Sequence, residues 1–176
     1  MCIRDSFITD LGRTHQLVSE GTGQFYDAAL ANGLYLEPAA DSFASWGSTV
    51  VDLDLDGWPE VATVFGQLLL DGSSLDAYSA DFVEPGWEDG SAQRDRLLWN
   101  QGDGTFTDIS DAAGFQDTGI GRSVAVGDLN RDGIPDLITA GIPFLQVWMT
   151  GGGCGTSITL THVPPGARVE LSLIHI

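Results

Sequence analysis

Two stretches of the chain, DLDLDGWPE at Asp52–Glu60 and DLNRDGIPD at Asp128–Asp136, follow one unusual pattern. Each places oxygen-bearing side chains at positions 1, 3, 5 and 9, with Gly at position 6 and Pro at position 8. Hard cations such as Ca²⁺ take about six to eight oxygen ligands, and glycine allows the sharp bend that such a loop requires. The repeated pattern therefore predicts two calcium-binding loops. The alternative interpretation is an acidic turn, rich in Asp and Gly, that binds nothing.

The acidic loops belong to a longer internal repeat. LVSEGTGQFYD at Leu17–Asp27 aligns with LLWNQGDGTFTD at Leu97–Asp108, at an offset of 81 residues from Leu17 to Leu98. The offset of the acidic loops is 76 residues, from Asp52 to Asp128. In both aligned segments an apolar stretch, a turn containing Gly and a stretch containing Phe follow one another, which predicts a β-hairpin.

Strand-like segments flank both acidic loops. Gly47–Val51 and Ser123–Val126, both rich in Val or Ala, precede the loops, and the apolar segments Val61–Phe65 and Leu137–Ala140 follow them. A repeat of about 80 residues with several short strands is typical of propeller blades. We therefore expect an all-β fold, a partial β-propeller of about two blades, with long inter-strand loops such as the polar insertion Asp71–Gln93.

Two helical types of calcium loop begin with the same residues. EF-hands and dockerins need a carboxylate at position 12 of the loop and helices on either side. Position 12 is Thr63 in the first loop and Thr139 in the second, and both lie in strand-like segments. The last acid falls at position 9 instead, as Glu60 or Asp136, which favours a shorter loop between two strands.

The second copy resembles the FG-GAP/VCBS repeats of integrin α-type β-propellers. Ile120-Gly121 stands where Phe-Gly is usual, and Gly141-Ile142-Pro143 stands where Gly-Ala-Pro is usual. The first copy departs further from the pattern. Trp46-Gly47 lies two residues closer to Asp52, and Glu60 replaces the usual Asp.

This resemblance implies one Ca²⁺ in each loop. The implied ligands of the first ion are the side chains of Asp52, Asp54, Asp56 and Glu60 and the carbonyl of Trp58. The implied ligands of the second ion are the side chains of Asp128, Asn130, Asp132 and Asp136 and the carbonyl of Ile134. The number of carboxylates favours the first site and the closer motif match favours the second, so the order of the two affinities stays open.

The hairpin NQGDGTFTD, with AAGF after it, resembles bacterial relatives of cartilage acidic protein, in which such repeats precede an ASPIC/UnbV-type module. The segment PGARVE at Pro165–Glu170 is similar to the start of that module. We therefore assign residues 7–147 to FG-GAP/VCBS repeats and residues 148–170 to a linker and the start of an ASPIC/UnbV-like module.

The two terminal hexapeptides are explained by one DNA element. MCIRDS at Met1–Ser6 and LSLIHI at Leu171–Ile176 can be encoded by a single short sequence read in opposite orientations. That sequence resembles a transposase adapter used in sequencing libraries. We therefore interpret residues 1–6 and 171–176 as adapter-derived and expect the chain to be a fragment of a longer protein.

Composition limits the classes of partner. The net charge is −18, the pI is about 4.1, and the chain contains no Lys. Such a chain lacks the basic patch that nucleic acid or an anionic membrane surface requires. No apolar run reaches the roughly 18 residues of a membrane helix, so we expect no membrane insertion. The natural partner is expected to be a protein or glycan of unknown identity.

Catalytic motifs are weak in this sequence. His15 and His162 are isolated, and no nucleophile elbow, P-loop or His-rich metal motif is present. We therefore expect a non-enzymatic, calcium-stabilised propeller of a secreted or cell-surface protein, serving adhesion or partner binding. The alternative is a scaffold portion of an extracellular enzyme such as a polysaccharide lyase.

Overall fold

A computed structural model describes seven parts of the chain, and all structural statements refer to these: residues 5–10, 13–36, 44–66, 93–115, 119–142, 144–151 and 168–174. They contain eleven strands and one short helix: β1 (Ser6–Thr9), β2 (Thr14–Ser19), β3 (Phe25–Asp27), β4 (Ser45–Val51), β5 (Glu60–Phe65), β6 (Arg96–Asn100), β7 (Phe106–Asp108), α1 (Ser110–Ala113), β8 (Ile120–Gly127), β9 (Asp136–Ile142), β10 (Phe144–Thr150) and β11 (Arg168–Ile174). A search of these parts of the chain for a helix of membrane-spanning length and apolarity found none.

The strands form three separate sheets. Their orders are β1-β2-β3, β4-β5-β6-β7 and β11-β10-β9-β8. All neighbours are antiparallel except β10 and β11, which pair in parallel over seven residues. The predicted all-β class is confirmed, and small consecutive antiparallel sheets are consistent with part of a β-propeller.

The predicted strands lie where the repeat places them. Strands β2 and β3 form the first predicted hairpin, and β6 and β7 form the second. The acidic loops connect β4 to β5 and β8 to β9, so strands flank both loops, as expected. Most of the predicted surface loop Asp71–Gln93 lies outside the described residues. Strand β10 continues through Trp148 to Thr150, across the boundary that the sequence suggested at residue 148.

One apolar cluster joins the second and third sheets. Its buried members are Leu53, Ala62, Leu97, Ala113, Phe115, Leu137 and Trp148. The rings of Phe115 and Trp148 lie 4.7 Å apart, and the indole Nε1–H of Trp148 donates a hydrogen bond to Thr139 Oγ1 at 2.9 Å. Leu53 belongs to the first acidic loop, and its burial contributes about 1.5–3 kcal/mol, which anchors that loop to the core.

Glycines allow the second and third sheets to approach each other closely. A Cβ added to Gly47 in β4 would lie 2.7 Å from the Cα of Ser123 in β8, and a Cβ on Gly121 would lie 2.8 Å from the carbonyl oxygen of Phe65. Beside this contact the Arg122 guanidinium lies 4.4 Å from the centre of the Trp46 ring. The Trp-Gly and Ile-Gly pairs of the repeat therefore serve packing between sheets.

We predict that Gly47→Ala destabilises the protein by about 1–3 kcal/mol, because the added methyl group overlaps the backbone of β8 and cannot be accommodated by a side-chain rotation. Urea unfolding of both proteins measures the difference. Gly127→Ala is the matched control, since a Cβ there meets only the Leu129 side chain, at 3.7 Å. Equal losses in the two variants would contradict the proposed close contact.

Candidate metal centre

The two acidic loops share one backbone conformation. Position 6 has positive φ in both, 93° at Gly57 and 89° at Gly133, which accounts for the glycine in the pattern. Position 4 is also left-handed, with φ of 62° at Leu55 and 63° at Arg131. Because non-glycine residues in this region are strained by about 1–3 kcal/mol, other interactions must hold the loops in shape.

Those interactions are hydrogen bonds from the loop backbone to its own carboxylates. In the first loop the Asp56 N–H donates to Oδ1 of Asp52 at 3.1 Å and to Oδ1 of Asp54 at 3.2 Å. The Gly57 N–H donates to the other oxygen of Asp52 at 3.0 Å, and the Trp58 N–H donates to Asp56 at 2.7 Å. These shared backbone donors hold the carboxylates of Asp52 and Asp54 close to each other.

The second loop repeats this set of hydrogen bonds. The Asp132 N–H donates to Asp128 at 3.1 Å and to Asn130 Oδ1 at 2.9 Å. The Gly133 N–H donates to Asp128 at 3.0 Å, and the Ile134 N–H donates to Asp132 at 2.8 Å. At positions 1 to 7 the two loops therefore share the same hydrogen bonds from backbone N–H groups to side-chain oxygens.

The acid at position 9 of the first loop is buried beneath it. Glu60 is the first residue of β5 and is 0% exposed. Its Oε2 accepts a hydrogen bond from the Leu53 N–H at 2.8 Å, whereas its Oε1 is buried without a hydrogen-bond partner. Within the described ranges, one group of three potential ligands has all its ligand atoms within 4.8 Å of one another: Asp52, Asp54 and Glu60.

Burial makes this arrangement unfavourable in the ionised form. Removal from water raises the pKa of Glu60 above its ordinary value, and the nearby charge of Asp54 raises the same pKa further. Burial is also the largest cause of the raised pKa of Asp54, to which the charges of Asp56 and Asp52 add. A cation would offset both the burial and the repulsion, so the first loop fits a hard divalent ion.

The position-9 acid of the second loop, Asp136, has hydrogen-bond partners for both of its oxygens. Asp136 is also 0% exposed, but Oδ2 accepts a hydrogen bond from the Leu129 N–H at 2.8 Å and Oδ1 accepts one from the Thr150 N–H at 2.9 Å. The Asn130 side-chain amide donates to Oδ2 of Asp132 at 2.8 Å. Asp52, Asp54 and Glu60 therefore lie together in the first loop, and shared hydrogen bonds join Asp128, Asn130 and Asp132 in the second. The roles of all the predicted side chains as metal ligands, and those of the carbonyls of Trp58 and Ile134, stay a prediction.

The following hairpin supports the first loop, which the sequence did not predict. The Asn100 side-chain amide at the end of β6 donates to the Pro59 carbonyl at 3.1 Å, and its Oδ1 accepts from the Gly102 N–H at 3.0 Å. The Trp58 indole covers the same turn, since a Cβ on Gly102 would lie 3.2 Å from its Nε1. Asn100 belongs to the motif NQGDGTFTD, but its contact with the loop depends on how β5 and β6 pair.

Comparison with known proteins gives one family match. Residues 74–139 match the family model described as FG-GAP-like repeat. The matched part includes β6, β7, β8, the second acidic loop and the start of β9. No curated protein matches the chain. The predicted FG-GAP-type repeat is thus confirmed for this part of the chain, whereas the ASPIC/UnbV resemblance stays a prediction.

We predict that Glu60→Gln stabilises the metal-free protein at neutral pH. A raised pKa means that the folded state binds the Glu60 proton more tightly, so the stability present below the ordinary value of 4.5 is lost as pH rises through the folded-state pKa. Glutamine keeps the acceptor for Leu53 and removes the charge. Urea unfolding in the presence of a chelator, from pH 4 upward, measures the difference.

The matched control is Glu20→Gln, which makes the same change at an exposed position in the turn between β2 and β3. We expect the stability advantage of Glu60→Gln over wild type to grow as pH rises, whereas that of Glu20→Gln does not follow this course. A pH-independent difference for Glu60→Gln would show that its carboxylate is not strained by burial.

Proposed function

We propose that the chain is a non-catalytic, calcium-stabilised portion of a β-propeller from a secreted or cell-surface protein, where it serves adhesion or the binding of a protein or glycan. The all-β sheets and the FG-GAP-like match support a propeller-type domain. The observation that carries the calcium proposal is the group of Asp52, Asp54 and Glu60, whose ligand oxygens lie within 4.8 Å of one another and in which Glu60 also keeps a buried Oε1 without a hydrogen-bond partner. A hard cation supplies the missing partner.

Calcium has a structural role in this proposal, because it stabilises the loops that connect neighbouring strands. In the first loop the ion is held by the side chains of Asp52, Asp54, Asp56 and Glu60 and by the carbonyl of Trp58. In the second loop the corresponding set is Asp128, Asn130, Asp132 and Asp136 with the carbonyl of Ile134. The ion cancels repulsion between carboxylates at the connection of two strands, so its binding free energy adds to the stability of the fold.

The proposed compartment follows from the expected affinity. Calcium modules of extracellular proteins bind with dissociation constants of about 10⁻⁴–10⁻³ M, which requires a calcium-rich environment. A net charge of −18 also favours an environment in which cations offset self-repulsion. Both considerations support a secreted or surface location.

The environment of His15 supports a non-catalytic role. Its Nδ1 lies 2.7 Å from Asp27 Oδ2, and its Nε2 lies 3.7 Å from Asp10. At the offset of 81 residues, Arg96 takes the place of His15 and lies 3.4 Å from Asp108, the counterpart of Asp27. Because arginine does not exchange protons near neutral pH, the feature that the two repeats share is a side-chain contact to an Asp on the neighbouring strand of the hairpin. His162 lies outside the described residues.

We predict that calcium raises the melting temperature of the wild-type chain and does so less for Asp54→Asn. For a dissociation constant of about 1 mM, calcium at about 10 mM adds about 1.4 kcal/mol per site. Asp54→Asn removes one charged ligand from the first loop and therefore loses most of the contribution of that site. Thermal unfolding with and without calcium measures the effect.

The matched control is Asp111→Asn, which removes one negative charge from α1. Asp111 pairs with Arg94, which precedes β6, whereas the first loop contacts Asn100 at the other end of that strand. We expect the control to keep the full calcium response. Identical melting temperatures of the wild-type chain with and without calcium would count against the proposed function.

A further inference from the structure

We propose that the two acidic loops are unequal: Ca²⁺ fills the first loop at lower concentration, whereas the second loop is held together mainly by its own hydrogen bonds. The inference rests on the proposed function and orders two sites that the sequence leaves unranked. It depends on differences at position 9, at position 3 and in burial, while the remaining hydrogen bonds of the two loops are the same.

Position 9 differs by one methylene group, and this changes what the carboxylate can bind. Oε1 of Glu60 is buried without a hydrogen-bond partner, and the Glu60 carboxylate offers an oxygen within 4.8 Å of oxygens of Asp52 and Asp54. Both oxygens of Asp136 accept backbone N–H groups instead, from Leu129 in the loop and from Thr150 in β10. A cation at the first loop gives a partner to an oxygen that has none, whereas a cation at the second loop competes with hydrogen bonds that Asp136 already makes.

Position 3 differs in charge: the first loop has the carboxylate of Asp54, and the second has the neutral amide of Asn130. Asp54 contributes a carboxylate to the first cluster, within 4.8 Å of ligand oxygens of Asp52 and Glu60. Asn130 donates its side-chain N–H to Oδ2 of Asp132, while its carbonyl oxygen is already used by the Asp132 N–H. A cation that used Asp132 Oδ2 would lie against a hydrogen-bond donor, so binding requires the loss of that bond.

The surroundings of the loops differ as well. Leu53, at position 2 of the first loop, is 0% exposed in the core, whereas its counterpart Leu129 is 37% exposed. Asn100 and the Trp58 indole attach the first loop to the hairpin turn at Gly102. A loop that is anchored in the core and braced by a neighbouring hairpin holds its ligands in place before binding, so the same ion is held more tightly there.

The inequality assigns different roles to the two position-9 acids. Asp136 accepts one hydrogen bond from the Leu129 N–H in its loop and one from the Thr150 N–H in β10. These two bonds connect the loop to β10 without a cation. Glu60 makes one backbone hydrogen bond of ordinary distance and angle, with the Leu53 N–H, and its buried Oε1 can serve a cation. The dependence of stability on calcium is therefore concentrated in the sheet of β4 to β7.

Terbium luminescence can separate the two loops in the intact chain. Tb³⁺ is a hard cation that binds calcium sites and emits after energy transfer from a nearby indole. Trp58 occupies position 7 of the first loop, where the second loop has Ile134. We expect the tighter of two binding phases to give the tryptophan-sensitised signal, and Trp58→Phe to remove most of that signal. Competition with calcium alone gives the calcium affinity of each phase.

Two variants test the assignment directly. Glu60→Gln is expected to weaken the tighter phase by at least about tenfold, because it removes a charged ligand. Asn130→Asp is expected to tighten the weaker phase, since it replaces the internal donor with a carboxylate, and to leave the tighter phase unchanged. The second variant introduces the residue that the first loop carries at this position, so it adds a negative charge to the ligand set without removing a backbone contact.

Three outcomes are decisive. A tight phase that responds to Glu60→Gln and Trp58→Phe, with a weaker phase that responds to Asn130→Asp, supports the inequality. Two phases of equal affinity, or a tight phase that responds only to Asn130→Asp, overturn the inequality while leaving the calcium proposal intact. Absence of any calcium competition in the wild-type chain overturns the proposed function together with the inequality.

Discussion

The first acidic loop depends on how one buried carboxylate oxygen, Oε1 of Glu60, is stabilised. Oε1 of Glu60 is buried at the start of β5 with no hydrogen-bond partner, and the Glu60 carboxylate groups with those of Asp52 and Asp54. An ionised oxygen in this position is costly unless a proton or a cation joins it. The raised pKa of Glu60 means that its carboxylate takes up a proton more readily than an exposed one. The neighbouring carboxylate oxygens are the ligands that a cation would use instead. The site is thus strained in its metal-free ionised form.

The rest of the fold keeps that oxygen in place. Leu53 fixes the loop in the core between two sheets, Asn100 ties it to the next hairpin, and glycines such as Gly47 let the sheets approach closely. The Leu53 N–H donates to the other oxygen of Glu60, and this hydrogen bond opposes an outward turn of the side chain. A rigid scaffold keeps the acids close together, which favours the proposed binding of a cation.

Sequence reasoning located the features that depend on neighbouring residues. Strand positions follow from local apolar patterns, and the loop conformation follows from closely spaced acids and Gly57. It missed features that need distant partners: the left-handed Leu55, the bond from Thr150 to Asp136 and the contact of Gly47 with β8. Both loops share one sequence pattern, so their different position-9 environments became visible only once β10 was placed beside β9.

A crystal structure grown with calcium, with anomalous scattering data, tests this account most directly. We expect an anomalous peak between Asp52, Asp54 and Glu60, with Oε1 of Glu60 at about 2.3–2.6 Å from the ion. Data from crystals grown with a chelator should lack that peak while Glu60 keeps its hydrogen bond to Leu53. A structure in calcium with no peak at this position, and with Oε1 bonded to a backbone N–H or to water, would contradict the account.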